Sequence, residues 1–162
     1  MIERAIARGE YICYGAMARE DILAYAYFVK LKEQGAPYAL FDYYAVKKEV
    51  RDQGVGSRFL QALIRGPLKN MRCVLLEVDD PAFADSDGEA EIRNRRLGFY
   101  LRNGLRDTQV TATVFGVRFK ILALPVGDAL TAEEVRQKYA ALYRALQPPR
   151  LFEAKVFIHG NS

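Results

Sequence analysis

The run Arg51-Asp52-Gln53-Gly54-Val55-Gly56-Ser57 sets a guanidinium and two glycines just ahead of an amphipathic rhythm. N–H groups bunched at a helix start attract anions, because the helix dipole and the unpaired donors point the same way. Gly54 and Gly56 let a ligand approach that backbone with no Cβ in its path. Arg51 adds a charge-assisted contact to a phosphate. The chemistry this predicts is the holding of a phosphorylated cofactor. Two further residues stand out because each is a single charge inside an apolar, strand-like run: Asp42 in YALFDYYAV and Glu77 in CVLLEV. A carboxylate in such a place is costly unless it is paired or functional. His159 is the one histidine, and Cys13 and Cys73 form no CxxC pair. That argues against a zinc site and against a Ser-His-Asp or Cys-His unit. Both cysteines lie in apolar, strand-like surroundings and read as reduced and buried.

The chain has 162 residues, 51% of them hydrophobic and 27% charged, as expected of one globular domain over residues 1–162. No apolar run approaches the roughly 18 residues that span a bilayer. MIERAIARGE mixes acids and bases and has no apolar signal-peptide core, so the reading is a cytoplasmic protein with no membrane partner. Residues 47–72 hold seven bases and two acids, and residues 77–91 hold seven acids and no base. Adjacent blocks of opposite sign suit an anionic cofactor on one side and a cationic substrate on the other, or else two solvated stretches. They do not make a uniformly basic nucleic-acid face.

Elements must hold these residues in place. Residues 2–8 suggest one or two helical turns. Residues 10–17 and 23–31, rich in aromatic and β-branched side chains, predict a hairpin, and the turn KEQGAP leads into a third strand at residues 38–46. Phe59, Leu60, Leu63 and Ile64 then fall on one helical face over residues 57–65, ended by Gly66-Pro67. Residues 73–78 predict a central strand parallel to the third, a βαβ unit. A second helix over residues 89–103 and a hairpin of residues 109–114 and 117–124 follow. A Thr131-x-x-Glu134 capping box opens a helix to Leu146, with Val135, Tyr139, Leu142 and Tyr143 on its core stripe. Residues 151–158 read as a last edge strand.

The glycines are not a Walker loop, since no Gly-Lys-Ser/Thr follows, nor a dinucleotide fingerprint, which needs a third glycine and a tight turn. R-x-x-G-x-G after a strand ending in Ala-Val resembles motif A of the GNAT superfamily of acetyl-CoA-dependent N-acetyltransferases. The stretch Asn94 to Leu105, NRRLGFYLRNGL, looks like motif B of the same family. The two occur in the family's order with a strand between them. The resemblance covers about residues 10–124 and leaves 131–158 as a C-terminal extension. It implies an α/β (α+β) fold: a mixed, mostly antiparallel twisted sheet whose central parallel pair splays for acetyl-CoA, with helices on both faces.

The resemblance also implies roles. Backbone groups of Tyr44, Ala45 and Val46 should pair with the pantetheine arm, and the Val46 N–H should hold the thioester oxygen. Arg51, Gln53, Gly54, Val55, Gly56 and Ser57 should wrap the pyrophosphate. Asn94 should reach the pantetheine from the second helix, and Tyr100 should protonate the departing thiolate. A primary amine then attacks directly in a ternary complex, with Asp42 or Glu77 taking its proton. By strand alternation Asp42 shares a face with Tyr44 and Val46. The implied acceptor is a small, possibly cationic, amine; acetyl-CoA is the co-substrate, no metal is needed, and the protein is a monomer or homodimer. Family members usually begin with a strand and one or two helices walling the acceptor site, where IERAIAR stands here. The alternative reading is a non-catalytic module that binds acetyl-CoA as a sensor.

Overall fold

Aromatic and β-branched side chains over residues 11–18, 21–31 and 38–46 favour strands, and a computed structural model shows how they associate; it describes residues 10–31 and 37–160. The predicted turns at residues 2–8 and most of KEQGAP lie outside the described residues. Strands β1 (Tyr11–Ala18), β2 (Asp21–Leu31) and β3 (Tyr38–Val46) form an antiparallel meander. Helix α1 (Val55–Arg65) crosses back to β4 (Cys73–Asp79), which lies parallel to β3. Helix α2 (Asp87–Arg102) leads to the β5 (Arg106–Val114) and β6 (Val117–Ala123) hairpin. Helix α3 (Ala132–Leu146), the short α4 (Pro149–Lys155) and β7 (Val156–His159) complete the chain. The seven strands form one sheet in the order β1-β2-β3-β4-β6-β5-β7.

Helices lie on both faces of this sheet. Helices α1 and α2 lie on one, burying Phe59, Leu60, Leu63 and Tyr100 against Ala26, Phe28, Phe41 and Leu76. Helix α3 lies on the other, burying Val135, Tyr139, Leu142 and Tyr143 against Val29, Tyr38, Leu40, Leu75 and Ile121. Its Thr131–Glu134 capping box forms as predicted. The last strand differs from expectation. Residues 149–155 are helical, because Pro149 takes the first helical turn, where it loses no hydrogen bond; pairing with β5 starts at Val156. Cys73 is buried, but Cys13 is exposed on the β1 edge strand.

One irregularity shapes everything around the site. In the β2–β3 ladder Tyr27 pairs with Tyr43 and Phe28 with Phe41, so Asp42 is an extra residue in β3. Such a bulge bends its strand and raises its twist. The parallel ladder between β3 and β4 runs from Tyr38 and Cys73 to Phe41 and Leu76 and ends there. Beyond the bulge the two strands part.

Candidate active site

The first residues past the last parallel pair are Asp42 on β3 and Glu77 on β4. Above them β3 stays bound to β2 but offers its other edge to the gap. The Lys47 N–H donates to the Leu23 carbonyl of β2 at 2.8 Å, so by strand alternation the N–H groups of Val46 and Tyr44 point into the gap. Ala45, between them, is turned toward β2, and its backbone is not presented to a ligand there. Arg51 folds under this edge, donating from Nε to the Val46 carbonyl at 3.1 Å.

The start of α1 stands beside that edge. Gly54 takes φ +73° as the helix N-cap and supplies no side-chain cap. The first intrahelical bond runs from the Arg58 N–H to the Gly54 carbonyl, which leaves the N–H groups of Val55, Gly56 and Ser57 as orphan donors. Asp52, at φ +60°, and the Gln53 side chain, donating to the Glu49 carbonyl at 3.0 Å, fix the loop in front. Gly56 serves packing as well as approach: a Cβ there would sit 3.3 Å from Val46 Cγ2 and 3.4 Å from Phe99 Cζ. The Tyr44 hydroxyl donates to the Gly56 carbonyl at 2.6 Å and its ring stacks on Phe59, so β3 and α1 are held in register. The Ser57 hydroxyl accepts from Asn103 Nδ2 at 3.1 Å, tying α1 to the end of α2.

Tyr100 reaches the same side of the gap from α2. Its ring meets Tyr44 edge-on at 6.5 Å and Phe99 at 5.3 Å, and only 6% of the residue is exposed. Burial pushes its phenol up to about 12, against a lowering by Arg96 one helical turn earlier. It is therefore a protonated donor at neutral pH. Arg96 pairs with Asp79 at 2.7 Å at the end of β4.

The two carboxylates face the opposite side. Because the bulge adds a residue, Phe41 and Tyr44 share one face, with rings 5.5 Å apart, while Asp42 is on the other; the expectation that Asp42 shares a face with Tyr44 and Val46 is corrected. Tyr11 on β1 donates to Asp42 Oδ2 at 2.5 Å. Glu77 is largely enclosed under α3, where Tyr139 and Tyr143, one turn apart, both donate to Oε1. Oε2 has no partner among the described residues. Burial raises the proton affinity of Glu77 above the ordinary carboxylate range, the two phenols pull the other way, and nearby Asp42 adds to the rise.

Most of the expected residues thus converge on one gap, with Tyr44, Val46, Arg51, Gln53, Gly54, Val55, Gly56, Ser57 and Tyr100 around one side and Asp42 and Glu77 on the other. Asn94 does not join them. It is exposed and lies six residues before Tyr100, about 120° away around the helix. Arg93 is in phase with Tyr100, and it clamps the loop below by donating to the carbonyls of Asp80 and Phe83. Of the acidic block, three residues are used inside the fold: Asp79 pairs with Arg96, Asp80 accepts from the Ala82 N–H, and Glu89 holds Arg93. Residues absent from the sequence reading of the site are Tyr11, Tyr139 and Tyr143, the hydroxyls that hold its carboxylates.

No protein-family model matches the chain, and no curated protein matches its sequence. Solved structures do match. A protein assigned as a GNAT-family acetyltransferase from Bacteroides thetaiotaomicron aligns with a TM-score of 0.59 at 17% identity, over 84% of this chain and 70% of that one. A GNAT-family acetyltransferase from Elizabethkingia anophelis with acetyl-CoA bound aligns with a TM-score of 0.57 at 15% identity, over 76% and 80%. An aminoglycoside 6'-N-acetyltransferase complexed with coenzyme A aligns with a TM-score of 0.57 at 16% identity, over 78% and 80%. The chain has the GNAT fold: a mixed seven-stranded sheet with one parallel pair opening at its centre.

Proposed function

We propose that this protein transfers an acetyl group from acetyl-CoA to the amine of a small molecule. The observation that carries the reading is the parting of β3 and β4 after Phe41 and Leu76, with outward-facing N–H groups and Tyr100 on one side and two carboxylates on the other. Structural neighbours of the same fold are described with acetyl-CoA or CoA bound, which supports the choice of acyl donor.

In this reading the orphan N–H groups of Val55, Gly56 and Ser57 and the Arg51 guanidinium hold the pyrophosphate, the anion for which a helix start is suited. The Tyr44 and Val46 N–H groups hold the pantetheine arm as an added strand. The Val46 N–H donates to the thioester oxygen as negative charge gathers on it. Glu77 Oε2 takes the proton that an ammonium must lose before its nitrogen can attack. Raised proton affinity suits that task, since a base works best with a pKa near the working pH. As the C–N bond forms and the C–S bond breaks, the nitrogen gives up its second proton to solvent, and Tyr100 passes its proton to the sulfur and regains one from solvent.

The test is thiol release from acetyl-CoA by the purified protein over a panel of primary amines. Release with at least one amine, with the acetylated product seen by mass spectrometry, is the expected outcome. Tight CoA binding with no turnover on any amine would contradict the reading.

A further inference from the structure

The sheet face beside α3 continues past the two carboxylates as a row of phenol rings. Tyr11 on β1, Tyr25 and Tyr27 on β2, and Tyr43 on β3 all lie on it. Tyr27 stacks on Tyr11 at 5.5 Å and 26°, and meets Tyr25 at 5.6 Å and 77° and Tyr43 at 6.5 Å and 63°. Tyr25 and Tyr43 stack at 5.8 Å and 14°. Rings at steep angles make corners walled by π faces, and their quadrupoles attract cations. Tyr11 borders the buried cluster of that face, and Tyr25, Tyr27 and Tyr43 lie outside it. Tyr43 is 54% exposed and the other three are partly exposed, although polar residues would serve a solvated strand face equally well. Asp42 stands at the gap end of the row, hydrogen-bonded by Tyr11 and in no ion pair among the described residues.

We propose that this tyrosine row is the acceptor subsite and that it selects amines bearing a second positive charge, such as α,ω-diaminoalkanes. The inference rests on the acetyl-transfer reading above and adds to it the class of substrate. The reacting nitrogen sits at Glu77 in the gap. The distal ammonium lies over the rings of Tyr25, Tyr27 and Tyr43, neutralised by Asp42. A neutral chain of the same length gains neither contact, so the charge sets the preference.

The experiment compares 1,4-diaminobutane with its near-isostere 4-amino-1-butanol and with phenethylamine, in thiol-release kinetics and in calorimetric binding with CoA present. The diamine is expected to be preferred about tenfold or more in kcat/KM. Tyr25→Leu and Tyr43→Leu should each cut that preference roughly three- to tenfold, whereas Tyr43→Phe, which keeps the π face, should retain it. The KM for acetyl-CoA should stay unchanged in all three variants. Equal use of the amino alcohol, preference for the aromatic amine, or leucine variants with the preference intact would each overturn the proposal. The two readings fail separately. Diamine binding that Tyr43→Leu weakens, without any acetylation, keeps the subsite and removes the transfer reaction. Acetylation without charge preference does the reverse.

Discussion

In the proposed reaction Tyr100 acts through two properties that a single atom separates. Its ring packs against both Tyr44 and Phe99, and its hydroxyl, pushed up to about 12 by burial, stays protonated. Tyr100→Phe keeps the packing and removes the acid. The expected result is a fall in kcat of about 10²-fold or more with acetyl-CoA affinity unchanged, checked by steady-state kinetics and calorimetry. Glu77 offers a test with a sign. Its proton affinity is raised on folding, so the native state binds more protons than the unfolded chain between the two values. The stability this carboxyl contributes is complete below its unfolded value and is lost as pH rises through its folded one. Glu77→Gln should therefore melt higher than the parent at pH 8, with the gap closing toward pH 4. It should also lose turnover by about 10²-fold and lose the rise of kcat/KM with pH that Glu77 gives the parent. Both carboxylates were legible in the sequence because a charge is conspicuous in an apolar run. Their tyrosine partners were not, since Tyr139 and Tyr143 on a helical stripe have the pattern of core residues. Asn94 misled because a motif match one residue out of phase changes which way a helical side chain points.

At the scale of elements, the junction between α1 and β3 positions the anion-binding backbone. Gly56→Ala places a methyl 3.3 Å from Val46 and 3.4 Å from Phe99, so the helix start must shift by a few tenths of an ångström. Weaker acetyl-CoA binding, by about fivefold or roughly 1 kcal/mol, is expected, with little change in kcat once the protein is saturated. The bounds of β3 were readable from its composition, whereas α1 starts at Val55, two residues before the apolar rhythm predicts. The bulge at Asp42 was not readable. YALFDYYAV alternates acceptably in either phase, and only the pairing of Phe28 with Phe41 and Tyr27 with Tyr43 reveals the extra residue. The gap opens beyond that residue, and the bulge turns Asp42 to the α3 face. The α4–β7 boundary was hidden for a simpler reason: Pro148-Pro149 breaks one element and begins another, and a sequence does not say which of the two follows.

Across the whole molecule, the sheet separates two tasks. One face, under α1 and α2, holds the backbone donors and Tyr100; the other, beside α3, holds the carboxylates and the exposed tyrosines. The gap between β3 and β4 joins them. Helix α3 belongs to this arrangement as more than an appendage, because it packs on the second face and brings Tyr139 and Tyr143 to Glu77. In the proposed reaction acetyl-CoA lies along the parted edge of β3. Amide NMR of the ¹⁵N-labelled protein, titrated with acetyl-CoA, tests it most directly. The largest shifts should fall on Tyr44, Val46, Val55, Gly56 and Ser57, with β5 and β7 unmoved. Saturable binding that leaves the Tyr44 and Val46 amides where they were would contradict it.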